Sequence, residues 1–118
     1  MAKPELVAHK DALPDYQAAA ATHPNNVEAQ TNLGWGLYSK GRFDEAVKQF
    51  EKALALSRDF LDAHYGLALT HKKAGRSKEA IAAFEQASAI LSKAEDHARA
   101  QMILNIIQSH LNDLRSGR

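Results

Sequence analysis

No cysteine occurs in this chain, which excludes disulfide staples, thiolate metal sites and cysteine nucleophiles. Net charge is also scarce: 15 basic residues against 14 acidic ones leave a formal +1. Bulk electrostatics therefore point to neither nucleic acid nor an anionic membrane. The start, "MAKPELVAHKDALPDY", holds no apolar run resembling a signal peptide. No stretch approaches the ~20 apolar residues of a membrane span, so a cytoplasmic location is the expectation. Glycine-rich phosphate loops, nucleophile elbows and paired-carboxylate constellations are missing as well, and no enzymatic activity is expected. With 118 residues the chain is at most one domain, large enough for a core and small for a substrate cleft.

What is present is a duplication. "GRFDEAVKQFEKALAL", residues 41–56, returns as "GRSKEAIAAFEQASAI", residues 75–90. Aligned without a gap, 27–60 and 61–94 share 10 of 34 positions, among them Leu33/Leu67, Gly41/Gly75, Ala46/Ala80, Phe50/Phe84 and Ala53/Ala87. Ala46, Phe50, Ala53 and Leu54 lie along one stripe of a helix, as do Ala80, Phe84 and Ala87. Gly41 and Gly75 stand where one helix must close and the next begin. Each repeat is thus predicted to be a helical hairpin, in which small alanines let paired helices approach and each phenylalanine fills the space between neighbouring hairpins. One hairpin cannot bury its own apolar face, which is why the unit is written twice. Predicted helices cover about 14–22, 27–39, 43–56, 61–74, 78–91 and 96–114.

These residues resemble the tetratricopeptide repeat family, whose pattern is Trp-x2-Leu-Gly-x2-Tyr on a first helix, Ala-x3-Phe on a second, then proline. The first repeat supplies Leu33, Gly34, Ala46 and Phe50, with Gln30, Leu37 and Arg58 at the places of the tryptophan, tyrosine and proline. The second supplies Leu67, Ala80 and Phe84, with His64, Ala68, His71 and Ser92 at the remaining places. A half-repeat precedes them, since Ala12, Tyr16, Ala19 and Pro24 keep the second-helix spacing, with Pro14 read as the first helical residue. The implied fold is all-α, a solenoid of two full repeats between a half-repeat helix and a capping helix. The expected division is 12–26, 27–60, 61–94 and 95–118, one domain over 1–118. The resemblance covers about residues 12–94 and says little of function, because the family is a scaffold for many specificities.

Where function is understood in that family, it lies on the concave face made by the first helices. Here the matching places include Thr31, Trp35, Tyr38, Tyr65, Leu69, Lys72 and Lys73. The aromatic and apolar members suit a groove for a peptide or protein segment, and nothing at Thr31, Trp35, Tyr65 or Leu69 clamps a terminal carboxylate. Trp35 is the sole tryptophan and sits between Gly34 and Gly36. It reads either as a groove anchor or as filling beside the half-repeat, with Gly36 accommodating it. Lys72 and Lys73 belong to a set of bases at the hairpin turns, a placement that helix macrodipoles favour.

The last predicted helix is odd for a cap. Ala100, Ile103, Ile107, Leu111 and Leu114 form a core stripe, but Leu104 on one flank and Met102 and Ile106 on the other widen it to about 200°. A cap should show a polar outer face, so these three residues are candidates for contact with a second copy of the chain. His64 and His71, seven residues or roughly 10 Å apart on one helix, are too distant to hold one metal and read as packing residues. Neither metal nor cofactor is expected. Three readings stay open: a peptide-binding adaptor, a self-assembling scaffold, and a piece of a longer array.

Overall fold

The computed structural model describes residues 11–117; the first ten residues of the stretch read for a signal peptide lie outside the described residues. Among the described residues six helices follow in order: α1 (Leu13–Thr22), α2 (Val27–Ser39), α3 (Phe43–Leu56), α4 (Leu61–Lys73), α5 (Ser77–Leu91) and α6 (His97–Arg115). Each boundary falls within one residue of the expected position, and no strand occurs among the described residues.

The two repeated glycines close the first helix of each hairpin. Gly41 and Gly75 have φ of 75° and 81°, a left-handed conformation that costs glycine nothing. Arg42 N–H then donates to the Leu37 carbonyl and Gly41 N–H to that of Tyr38; Arg76 and Gly75 repeat both bonds to His71 and Lys72. These are the paired bonds of a Schellman turn, and they satisfy carbonyls that a helix end leaves bare. The chain reverses at once, so α2 lies on α3 and α4 on α5.

Alanine and glycine set how closely the helices approach. Ala46, Ala53, Ala63, Ala68, Ala80 and Ala87 have no exposed surface, and neither do Phe50 and Phe84. The Phe50 ring lies between α2 and α4, directly over Gly34 and Gly66. A Cβ at Gly34 would sit 2.7 Å from that ring, and one at Gly66 closer still. Two cores result: one around Phe50 joins α1 to α4, the other around Phe84 joins α4 to α6, and Leu67 packs against both.

The terminal helices correct two expectations. In α1 the inward residues are Leu13 and Ala20, with Tyr16 half-buried between them, whereas Ala12 and Ala19 face solvent. The helix is ten residues long with Pro14 in its first turn, and it packs chiefly on α2, so its phase is set mainly by that neighbour. Buried Gln30, at the family's tryptophan place, donates its amide to the carbonyls of Ala20 and Pro24 and holds α1 to α2.

In α6 the polar outer face exists after all. Ala100, Ile107, Leu111 and Leu114 are buried against α5 and Leu104 packs on the same core, which takes Leu104 out of any free apolar surface. Gln101, Asn105, Gln108 and Asn112 form an exposed stripe on another side. Their amides pair at i,i+4, Gln101 to Asn105 at 2.9 Å and Gln108 to Asn112 at 3.0 Å. A following helix laid on this side would meet amides instead of an apolar stripe. Met102 and Ile106, 68% and 51% exposed, belong to a third side.

Candidate functional site

That third side faces α4. Superposing the buried alanines near the starts of the two helices, Ala63 and Ala100, sets Tyr65, Leu69 and Lys73 in register with Met102, Ile106 and His110, because the offset of 37 residues applies to each. Both rows advance by one turn per step, so each helix contributes one stripe. A cleft of about 580 Å³ opens between them, lined mainly by apolar groups of Phe60, Leu61, Tyr65, Ile103 and Ile106, with Asp59 and Asp62 at its edge. One turn further along, Leu69, Lys72, Lys73 and His110 line a second hollow of about 470 Å³, which Tyr38 of α2 walls. Tyr65 of the first and His110 of the second meet edge to face at 6.3 Å, so the two hollows are neighbours along the α4–α6 side, together called the groove.

His110 ties this groove to the core. Its ring stacks on buried Phe84 at 4.9 Å with 9° between planes, and Nδ1 lies 2.8 Å from the Lys72 ammonium. Lys72 has no lone pair and can only donate, so Nδ1 accepts and the ring is neutral. Burial, reinforced by Lys72, holds the His110 pKa below its ordinary 6.5; Asp113, 3.4 Å from Lys72, opposes this. Burial, helped by Arg76, does the same for His71. Burial also raises the Tyr65 pKa, with Tyr38 adding to the shift.

Because both histidines bind protons less readily when folded, their contribution to stability is present above pH 6.5 and is lost as pH falls below it. Thermal melts between pH 7.5 and 5 should show Tm declining with acidification. The slope should be shallower in His110→Gln and shallower again with His71→Gln added. An unchanged slope in the double variant would assign the pH dependence to other groups.

The expected groove residues divide. Tyr38, Tyr65, Leu69, Lys72 and Lys73 line it, as described. Thr31 does not: it is 1% exposed and its hydroxyl donates to the Val27 carbonyl at 2.8 Å. Trp35 is half-buried, its ring edge to face with Phe50 at 5.2 Å and with Tyr38 at 5.8 Å. It opens instead onto a hollow of about 420 Å³ shared with Asp11, Tyr16, Gly36 and Lys40. Gly36 gives room to α1, since a Cβ there would lie 2.9 Å from the Tyr16 ring. Lys72 is held by His110 and Asp113, whereas Lys73 is exposed.

The bases at the hairpin turns are largely paired internally: Lys40 with Asp11 at 2.9 Å, Arg42 with Glu45, and Arg76 with Asp44 across the two hairpins. Among the described residues no group of three or more His, Asp or Glu side chains could hold a metal. No helix among them is long and apolar enough to cross a membrane.

Residues 37–75 match the family described as TPR repeat, and residues 61–90 the one described as tetratricopeptide repeat. The repeated hairpins are tetratricopeptide repeats. The family is a protein-interaction fold without enzymatic chemistry of its own. Among solved structures, PcrH, determined in complex with the chaperone binding region of PopD, superposes with a TM-score of 0.72 over 90% of this chain and 83% of its own, at 19% identity. MamA AMB-1 superposes with a TM-score of 0.65 over 75% of this chain and 48% of its own, at 31% identity. The peroxisomal targeting signal receptor of Kluyveromyces lactis is 33% identical over 60 residues, 51% of this chain. The chain spans 11% of that receptor's length.

Sequence reasoning missed Phe60, Leu61 and Asp59, gave His110 no role in a groove, and assigned Ile103 to the core stripe of the last helix. The signal for α6 was available: reading Ala100 as the counterpart of Ala63, a shift of 37 residues instead of 34, puts Ile106 and His110 on the tetratricopeptide groove positions. Phe60 gave no such signal, because it precedes α4 and its repeat counterpart is Ala94.

Proposed function

We propose that the chain works as a single domain, divided as 12–26, 27–60, 61–94 and 95–118, whose groove between α4 and α6 captures a peptide or protein segment. The observation that carries this reading is the apolar cleft shared by Tyr65, Ile103 and Ile106. Exposed apolar surface in a concave setting favours a partner, and the tetratricopeptide fold is one of protein interaction. The structural relative PcrH, which was solved with a segment of another protein, is in keeping with this. The roles of Tyr38, Leu69 and Lys73 follow from their place along the same groove. Trp35 serves the packing of α2 on α3, with its indole edge left to the α1 side.

The test is a peptide library displayed on phage and selected on the wild-type chain. Selected peptides should carry a large apolar side chain and bind near the micromolar range, about −8 kcal/mol. Ile106→Asp should weaken them by about thirtyfold or more, the loss expected of a central anchor. Circular dichroism should not change, since Ile106 is 51% exposed. Equal binding by the variant would remove the groove from the account.

A second reading puts another copy of the chain on this surface, and the 68% exposure of Met102 favours it. Light scattering at rising concentration separates the two. Mass that grows with concentration, and reverts to monomer in Met102→Lys/Ile106→Lys, would select self-assembly.

A further inference from the structure

The groove is not uniform along its length. Asp59 and Asp62 stand at one end beside the apolar cleft, and Lys72 and Lys73 at the other. Lys72 is bound within the molecule, but the side chains of Asp59, Asp62 and Lys73 are exposed and enter no ion pair or hydrogen bond among the described residues. The α4 positions 62 and 73 differ by three turns, so both charges lie on the groove side, roughly 16 Å apart at 1.5 Å per residue. Between them the Tyr38 and Tyr65 hydroxyls have no hydrogen-bond partner among the described residues. A helix would bring a backbone already satisfied, whereas an extended strand brings bare N–H and C=O groups for those hydroxyls.

We propose that the groove takes a short extended segment with opposite charges four residues apart. Four residues at 3.3 Å each span about 13 Å, and the flexible charged side chains reach the rest of the roughly 16 Å. A basic side chain lies over Asp59 and Asp62, a large apolar side chain enters the Tyr65–Ile106 cleft, and an acidic side chain meets Lys73. Side chains two apart share a face of a strand, so base, apolar residue and acid occupy alternate positions. This inference rests on the groove reading above and adds the chemistry and direction of its occupant.

The experiment uses synthetic hexapeptides, acetylated and amidated so that only side chains carry charge. One holds arginine, leucine and glutamate at alternate positions; a second replaces the glutamate by lysine. Fluorescence anisotropy at low salt should show the first binding about fivefold more tightly than the second, the range of an exposed ion pair. Lys73→Glu should invert that preference, and 0.5 M salt should abolish it. If Lys73→Glu leaves both affinities unchanged while Ile106→Asp removes binding, the groove stands and the charge pattern is overturned. If neither variant alters binding, both readings fail together.

Discussion

Phe50→Ala should destabilise the chain by roughly 3–5 kcal/mol, the range of a large core truncation. The upper part of that range is expected because the ring has no exposed surface and the helices around it cannot easily collapse. It lies over Gly34 and Gly66, and those positions have no side chain to move into the void. Chemical denaturation followed by circular dichroism measures the loss through the midpoint at constant slope.

The same geometry makes Gly66 a sensitive partner. Gly66→Ala alone drives a methyl into the Phe50 ring and should cost about 1–3 kcal/mol as overpacking. In the Phe50→Ala background that methyl enters vacated space, and the substitution should stabilise instead, by up to about 1 kcal/mol of helix propensity. A change of sign in the double-mutant cycle is the result that establishes the contact. Additive effects would show that the glycine serves some other need.

Phe84→Ala should cost a similar 3–5 kcal/mol, with a different distribution. Phe84 is fully buried and carries His110 on one face and the edge of Tyr65 nearby. Of the helices, α6 packs chiefly on α5, so losing this ring weakens the attachment of α6 and the wall it gives the groove. Amide exchange in α6 should accelerate well before that of α2 and α3, whose core surrounds Phe50. Uniform acceleration across all six helices would mean that the two cores unfold as one unit.

How much of this was legible beforehand depends on how local the cause is. Helix ends were readable because Gly41, Gly75 and the alanine and phenylalanine spacing act within one or two turns. The pairing of Phe50 with Gly34 was also readable, since both lie in one hairpin. Its contact with Gly66 in the next hairpin was not, because the alignment sets Gly66 opposite Asn32 and gives it no repeat partner. Thr31 was misplaced for a related reason: a groove position in the repeat is still buried if neighbouring chain covers it.

The sequence by itself determined an all-helical repeat and the residues that close each turn, since periodicity and glycine conformation are properties of the chain. The core stripe of α6 was legible as well, but only the tertiary structure decided which flank of that stripe turns to α4. The apolar arc extends over both flanks, and the choice between Leu104 and the Met102–Ile106 side came from the fit of Ala100, Ile107 and Leu111 against α5. That docking brings Ile106 beside Tyr65 and seats His110 on Phe84. Two helices far apart in the chain thereby become the walls of one groove.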